Sequence, residues 1–114
     1  MIIGPKVWRH DEAVTSWFRA YWGEEDIWFY FEIDADGWVM RQIELRGPDD
    51  TPIAAASMAE WQEAQRIGRL HQYEATYGLT AGIPIQEWEG YDPQPLTSSE
   101  FESVWRRARH HLTT

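Results

Sequence analysis

Residues Ile27 to Arg46, with the sequence IWFYFEIDADGWVMRQIELR, carry the strongest structural signal in the chain. Two apolar runs flank a short polar segment that ends in Asp36-Gly37. An Asp-Gly pair between such runs is typical of a β-hairpin turn. The segment therefore predicts two antiparallel strands, and the length of the turn determines which side chains share a face.

Two turn lengths are compatible with this segment. A two-residue type I′ loop at Asp36-Gly37 would place Phe31 opposite Gln42. It would also place Phe29 opposite Glu44. Both faces of the hairpin would then mix polar and apolar side chains.

A three-residue loop over 35–37, with Gly37 left-handed as a G1 bulge, would instead place Asp34 opposite Trp38. One almost wholly apolar face would then hold the pairs Ile27/Leu45, Phe29/Ile43, Phe31/Arg41 and Ile33/Val39. Burial of an apolar face favours this register. We therefore predict the three-residue turn.

Arg41 is the exceptional residue of that apolar face, where an unpaired guanidinium would be costly. It has three options: to extend to the sheet edge, to pair with a buried carboxylate, or to reach an anion of a ligand or partner. A direct pair with Glu32 would require the other register, because Glu32 projects to the opposite face. The pair is therefore a test of the register.

That opposite face carries Trp28, Tyr30, Glu32, Trp38, Met40, Gln42 and Glu44. Either a second packed layer covers it, or its aromatic residues form an exposed patch bordered by carboxylates. Such a patch is typical of a protein-binding surface, because Trp and Tyr anchor binding hot spots. The candidate binding residues are Trp28, Tyr30, Glu32, Trp38, Arg41 and Glu44.

The N-terminal third predicts a short strand over 6–10, and then a helix from Asp11 to about Gly23. The apolar stripe of that helix would be Val14, Trp17, Phe18 and Tyr21, at i, i+3, i+4 and i+7. Residues 51–55 either add a third strand or remain extended.

Two capping boxes predict helices in the second half. The first begins at Ser57, and its helix either ends at Gly68 or continues weakly to Tyr77 before Gly78. The second begins at Thr97 and starts a helix with the apolar stripe Phe101, Val104, Trp105, Ala108 and Leu112. Between them, 83–88 is expected to be extended and 92–95 to form a rigid loop. The chain is predicted to be a single α+β domain over 1–114, with a small antiparallel sheet built on the 27–46 hairpin and packed against two to three helices.

Composition restricts the function. The 114 residues hold eight tryptophans, 19 acidic and 10 basic residues, and no cysteine, for a formal charge of −9. Such a charge disfavours direct nucleic-acid binding and suits a basic protein partner. The sequence has no apolar run long enough to span a membrane and no signal-peptide pattern at its start, so we expect a cytoplasmic protein without membrane contact.

We find no signature of catalysis, metal binding or a cofactor. His10-Asp11-Glu12 places three ligand types in a row, but adjacent side chains point in different directions. Residues 34–37 resemble the start of a calcium loop, but Leu45 stands where a bidentate glutamate is required. The nucleophile elbow and phosphate-binding glycine loops are absent. We therefore assign no catalytic residue, metal or cofactor, and we favour a protein that is not an enzyme.

Several blocks resemble one family. Tyr30 to Asp34, Asp36, Arg41 and Ile43-Glu44 are similar to the "Y-x-E-hydrophobic-D-x-D … R-x-hydrophobic-E" core of a small bacterial domain of unknown function. Trp8 and His10 resemble its opening Trp-x-His. Ile83-Pro84, Leu96-Thr97 and the 101–108 segment FESVWRRA resemble its closing part. The resemblance covers about half of the chain. It implies a short, cytoplasmic, sheet-plus-helix domain that acts as an accessory or immunity-like protein.

Three functions remain open. The first is a non-enzymatic, acidic protein-binding module, in its most concrete form an inhibitor or immunity protein for a cationic toxin such as a nuclease. The second is a small-ligand domain or enzyme in which Arg41 grips an anion inside an aromatic-lined pocket. The third is a self-associating scaffold, with Trp28 and Trp38 buried across the two-fold axis of a homodimer.

Overall fold

A computed structural model describes residues 14–113 of the chain. These residues form one five-stranded antiparallel sheet with the strand order β4-β3-β2-β1-β5 and three α-helices. The elements are β1 (Val14–Trp22), β2 (Ile27–Asp34), β3 (Val39–Arg46), β4 (Thr51–Ser57), α1 (Met58–Arg66), α2 (Leu70–Tyr77), a 3₁₀ turn (Ile85–Glu87), β5 (Gln94–Leu96) and α3 (Ser98–Thr113). The predicted α+β architecture is confirmed.

The predicted turn between β2 and β3 is also confirmed. Gly37 is left-handed with φ of 87°, and its N–H donates to the Asp34 carbonyl at 3.1 Å. The Asp34 N–H donates to the Trp38 carbonyl at 3.0 Å, and Ile33 lies opposite Val39. Asp34 Oδ1 accepts the N–H groups of Asp36 and Trp38 at 2.9 and 3.0 Å, which stabilises the turn from within.

The predicted register is wrong beyond Ile33. A second bulge adds Met40 to β3 as an extra residue, so Glu32 lies opposite Arg41 and not opposite Met40, as the predicted register required. The predicted pairs Phe31/Arg41, Phe29/Ile43 and Ile27/Leu45 are replaced by Phe31/Gln42, Phe29/Glu44, Tyr30/Ile43, Trp28/Leu45 and Ile27/Arg46. The prediction assumed one buried face. In the structure both faces of β2 are covered. A register that mixes polar and apolar side chains on each face therefore has no burial penalty relative to the predicted one.

The helix face of the sheet packs against α3. Its core consists of Tyr30, Ile43, Leu45, Ala55, Phe101 and Ala108, with Trp17, Trp28, Leu96, Val104, Trp105 and Leu112 packed around it. The predicted apolar stripe of α3 lies entirely within this cluster. Phe101 is fully buried, and Thr97 and Glu100 form the predicted reciprocal capping box.

The opposite face of the sheet packs against an irregular segment, residues 79–93. Its core consists of Phe18, Phe31, Ile33 and Val39, and Phe29, Ala81, Ile85, Trp88 and Tyr91 pack against them. This layer is shorter than the helical one. It covers the half of the face near the Gly37 turn, where the Ile85 N–H donates to the Gly37 carbonyl at 2.9 Å.

The predicted helix over 11–23 is wrong within the described residues, because 14–22 form β1. Trp17, Arg19 and Tyr21 lie opposite β2 residues of the helix face. Phe18 and Ala20 are buried on the other face. A strand with apolar residues on both faces imitates helical spacing over two turns. The predicted strand over 6–10 lies outside the described residues.

The helices α1 and α2 follow the Ser57 capping signal. Ser57 Oγ accepts the Glu60 N–H at 3.3 Å. The Ser57 N–H donates to the Tyr73 hydroxyl and not to Glu60, so only half of the predicted box forms. Gly68 is left-handed with φ of 75°, and it separates two helices where the sequence left open one short or one long helix. Residues 51–55 join β4, the third strand that the sequence allowed.

Candidate functional site

The six residues predicted to bind a partner do not form one surface. Trp28, Tyr30, Glu32 and Arg41 all belong to the helix face, and Tyr30 and Glu32 are buried there. Glu44 lies on the opposite face, opposite Phe29, and Trp38 is a half-buried residue next to the Gly37 turn. The Met40 bulge is the reason, because it moves each residue of β3 beyond it to the other face relative to β2.

Arg41 is an internal ion-pair residue. Its Nε and Nη2 donate to the two carboxylate oxygens of Glu32 at 2.7 and 2.6 Å. Its Nη2 also donates to Glu102 of α3, and its Cζ lies 4.9 Å from the centre of the Trp105 ring. Burial alone would lower the pKa of Arg41, but the bonds to Glu32 and Glu102 outweigh burial and raise it. The Glu32–Arg41 pair, which the predicted register did not allow, is therefore present.

This pairing removes the basis of one functional hypothesis. A pocket in which Arg41 grips an anion requires guanidinium donors that point at the ligand. Here the donors of Arg41 point at Glu32 and Glu102. The structure therefore offers no support for a ligand pocket built on Arg41.

A second arginine of α3 also serves the fold. Arg109 Nε donates to the Ala55 carbonyl at 2.8 Å, and its Nη2 pairs with Glu60 of α1. The Tyr73 hydroxyl of α2 donates to the same Glu60 carboxylate at 2.9 Å. Burial and Glu60 raise the pKa of Tyr73, so this hydroxyl stays protonated. The network joins β4 and the three helices.

A cleft of about 570 Å³ separates β1 and β5 from α3. Its cation is Arg19, whose Nε donates to Gln94 Oε1 at 3.1 Å and whose Nη1 donates to the Tyr30 hydroxyl at 3.3 Å. The Cζ of Arg19 lies 4.3 Å from the centre of the Trp28 ring. Because these contacts occupy the guanidinium face and two of its donors, we regard the cleft as a packing feature.

The opposite face of the sheet holds a groove of different character. Its volume is about 310 Å³. We call it the aromatic groove, and its lining residues are Ala20, Tyr21, Trp22, Phe29, Phe31, Gln42, Ala81, Trp88, Gly90 and Tyr91. The size and the mainly aromatic lining with few polar groups are typical of binding pockets.

The floor and wall of the aromatic groove come from distant parts of the chain. Phe29 and Phe31 of β2 lie with their rings parallel, 5.8 Å apart. The Trp88 ring stands edge-on to Phe31 at 4.9 Å, and Tyr91 meets Trp88 at 5.4 Å. Trp22 completes the rim, is 45% exposed, and lies 6.2 Å from Phe29. Phe31 belongs to the buried core of this face, and the less buried rings around it line the open groove.

Hydrogen bonds hold the wall of the groove in place. The Ala81 N–H donates to Gln42 Oε1 at 2.8 Å, which ties the beginning of the 79–93 segment to β3. The Gln86 amide donates to the Asp36 carbonyl at 3.2 Å, and the Trp88 indole donates to the Ile83 carbonyl at 3.2 Å. The groove is therefore preformed rather than built by a ligand.

A half-buried carboxylate lies beside the groove. Glu44 is the cross-strand neighbour of Phe29, and the Gln42 amide donates to Glu44 Oε2 at 3.2 Å. Burial raises the pKa of Glu44, although Gln42 and Arg46 act in the opposite direction. The groove therefore borders an acid whose negative charge is poorly solvated.

The nearby end of the sheet is strongly acidic. The β1–β2 turn follows directly after Trp22, and the Gly47 N–H of the β3–β4 turn donates to the Asp26 carbonyl at 2.9 Å. We call the exposed carboxylates of these two turns the acidic end: Glu24, Glu25, Asp26, Asp49 and Asp50. Arg46, the last residue of β3, is the base that adjoins these turns. The aromatic groove therefore opens next to a concentration of negative charge.

The sequence prediction missed the groove residues for identifiable reasons. Phe29 and Phe31 were assigned to one buried face, and Trp22 lay beyond the stripe of a predicted helix. Trp88 and Tyr91 occur in a segment without periodicity, so their position depends on tertiary packing. The sequence did contain one signal for this packing. Two large aromatic residues in an irregular segment indicate that the segment packs on an apolar surface.

Metal-binding clusters and membrane-spanning helices are both absent from the described residues. Within 14–113, no group of three or more histidine, aspartate or glutamate side chains could hold a metal ion. In the same part of the chain, no helix is long and apolar enough to cross a membrane.

Comparison of the chain with protein-family models, with curated proteins and with solved structures found no match in any of the three. The resemblance to a small bacterial domain of unknown function therefore stays a prediction.

Proposed function

We propose that this chain is a non-enzymatic binding module that recognises a basic protein partner through the aromatic groove and the acidic end. Its most concrete form is an inhibitor or immunity protein for a cationic toxin. The proposal keeps the function predicted from charge and tryptophan content, but moves the site to the other face of the sheet. The observation that carries it is the position of a preformed aromatic groove next to five exposed carboxylates.

The two features have complementary physical roles. Exposed carboxylates attract a basic partner over about one Debye length and raise its association rate. Aromatic side chains contribute the affinity after contact, because they bury a large area at a small cost in conformational entropy. A formal charge of −9 extends this attraction over the whole molecule. The arrangement supports a protein partner better than a nucleic acid, whose phosphates would be repelled.

Site-specific photocrosslinking in the cells that produce the protein tests this proposal. A photoreactive phenylalanine derivative replaces Trp22 at the groove rim. In a control it replaces Ile67, which is also exposed, at 50%, but lies at the end of α1. We expect one or a few basic proteins to be crosslinked from position 22 and not from position 67. Equal crosslinking from both positions, or acidic products from position 22, would contradict the proposal.

Charge variants of equal net charge provide the second test, on the purified complex. Glu25→Gln removes one charge from the acidic end, and Glu63→Gln removes one from α1. We expect Glu25→Gln to slow association by about twofold at low salt, because it reduces local steering. Glu63→Gln should have a smaller effect. If the two variants behave alike, recognition does not involve the acidic end.

A further inference from the structure

We propose that the group of the partner that enters the aromatic groove is an arginine side chain, with its guanidinium stacked on the groove rings and directed at Glu44. This inference rests on the proposed function and specifies its recognition chemistry. The groove volume of about 310 Å³ lies at the lower end of the range for ligand pockets, which suits one large side chain.

The shape and polarity of the groove favour a planar cation. Phe29 and Phe31 line the groove with parallel rings, of which the half-buried Phe29 is the accessible one, and Trp88 lies edge-on to Phe31. A guanidinium is flat, weakly hydrated and able to stack on such rings, whereas an ammonium is compact and strongly hydrated. The methylene stem of arginine would cover the apolar lining at the same time.

The position of Glu44 supplies the charge complement. As the cross-strand neighbour of Phe29, Glu44 lies within reach of a side chain that covers that ring. Its bond to the Gln42 amide places the carboxylate next to a groove-lining residue. A guanidinium that arrives over Phe29 would form a charge-assisted hydrogen bond to Glu44 and compensate for its poor solvation.

Among residues 14–113, three arginines already stack a guanidinium on an aromatic ring. The Cζ-to-ring distances are 4.3 Å for Arg19 over Trp28, 4.9 Å for Arg41 over Trp105, and 3.9 Å for Arg109 over Tyr77. Two of these arginines also pair with a carboxylate, namely Glu32 or Glu60. The aromatic groove has the rings in its lining and Glu44 beside Phe29, but the lining residues that the structure describes include no arginine or lysine.

Fluorine NMR of the intact chain labelled with 5-fluorotryptophan tests the inference. Trp22 and Trp88 report on the groove, and Trp61 and Trp105 report on the helical layer. Single Trp→Phe variants assign their signals. The probes are the N-acetyl amides of arginine, lysine and leucine, which share a backbone and differ in the side chain.

We expect the arginine amide to shift the Trp22 and Trp88 signals at about tenfold lower concentration than the lysine or leucine amide, with Trp61 and Trp105 unchanged. Glu44→Gln should weaken the arginine response by about tenfold, because a charged hydrogen bond is lost. Glu63→Gln should leave the response unchanged. An equal or stronger response to the leucine amide, or no response of Trp22 and Trp88 to any probe, would overturn the inference. Signals of Trp22 and Trp88 that shift with protein concentration alone would also overturn it, because a second copy of the chain would then fill the groove.

The fluorine NMR experiment and the crosslinking experiment can fail independently of each other. If the crosslinked basic partner binds through Trp22 but the groove does not prefer the arginine amide, only the identity of the inserted group is wrong. If the groove prefers the arginine amide but position 22 crosslinks no basic protein, the proposed function fails and the arginine site stands by itself.

Discussion

Arg41 and Glu32 lie directly opposite each other on β3 and β2, and two hydrogen bonds of 2.7 and 2.6 Å join them. The Glu32 side chain is only 7% exposed, and it also accepts the Trp17 indole N–H at 3.0 Å. This pair exists because the Met40 bulge shifts the strand register. It connects the centre of the sheet to Glu102 of α3.

Replacement of Arg41 by methionine should destabilise the fold strongly. Arg41→Met leaves the buried Glu32 carboxylate without its cation, and we expect the free energy of unfolding to fall by about 3 kcal/mol. Urea denaturation at neutral pH measures the change. Arg41→Met/Glu32→Gln should recover part of the loss, because the unpaired charge is gone while an acceptor for Trp17 remains.

The control for this variant is Arg66→Met. It breaks a pair with Glu63 in which both side chains are more than half exposed. No measurable loss of stability is expected from it, because solvent screens exposed ion pairs. If Arg41→Met were as mild as Arg66→Met, the buried pair would have no structural role.

Gly37→Ala should destabilise the hairpin turn and the groove wall together. Gly37 is left-handed, and an added Cβ would overlap the Gln86 side-chain amide. The Gln86 amide would have to move aside and give up its hydrogen bond to Asp36, so this loss and the backbone strain together should lower the free energy of unfolding by about 2 kcal/mol. Gly47→Ala is the matched control, because Gly47 has φ of 80° and open space around its Cβ position. Its loss should be about 1 kcal/mol from strain alone. Equal losses would show that Gln86 does not pack on the turn.

Glu44→Gln should stabilise the folded protein at neutral pH. Burial raises the pKa of Glu44, so the folded state binds its proton more tightly than the unfolded chain does. The ionised group therefore opposes folding above its raised pKa, and it does not do so below the ordinary pKa of glutamate. We expect the advantage of Glu44→Gln in urea denaturation to be present at pH 7 and to disappear as the pH falls below about 4. An advantage that persists unchanged in acid would mean that the glutamate charge is not its cause.

Trp22→Ala should weaken partner binding and leave the fold intact. Trp22 is 45% exposed at the rim of the groove, so its removal trims the edge of the aromatic cluster and leaves the buried core in place. If it is an anchor of the interface, binding should weaken about 30-fold, as measured by calorimetry with the crosslinked partner. Ile67→Ala removes a similarly exposed apolar side chain from α1 and should leave affinity unchanged. Equal affinities for the two variants would place the interface elsewhere.

The parts of the fold that depend on local sequence could be predicted from it. The Gly37 turn needs a residue that tolerates a positive φ, and α3 shows both a capping box and an unbroken apolar stripe. Ser57 likewise indicates the beginning of α1. In each case the signal and the structure lie within a few residues of each other, so no tertiary information is needed.

The remaining parts depend on what covers each face of the sheet. β1 has aromatic residues on both faces, and this pattern does not distinguish a strand from a helix. The bulge at Met40 leaves no mark in an alternating pattern when both faces are buried. The candidate site fails for the same reason. Phe31 could be predicted to be apolar and inward, but its contact with Trp88, about 60 residues away in sequence, could not.

The salt dependence of association between the intact chain and its crosslinked partner is the sharpest test of recognition by charge and aromatic contact. Stopped-flow fluorescence should show the association rate falling at least tenfold between about 50 and about 500 mM salt, with the dissociation rate nearly constant. Trp22→Ala should raise the dissociation rate and keep the same salt dependence. An association rate that does not change with salt, or a Trp22→Ala variant that dissociates as slowly as the parent, would contradict recognition of a basic partner by the aromatic groove and the acidic end.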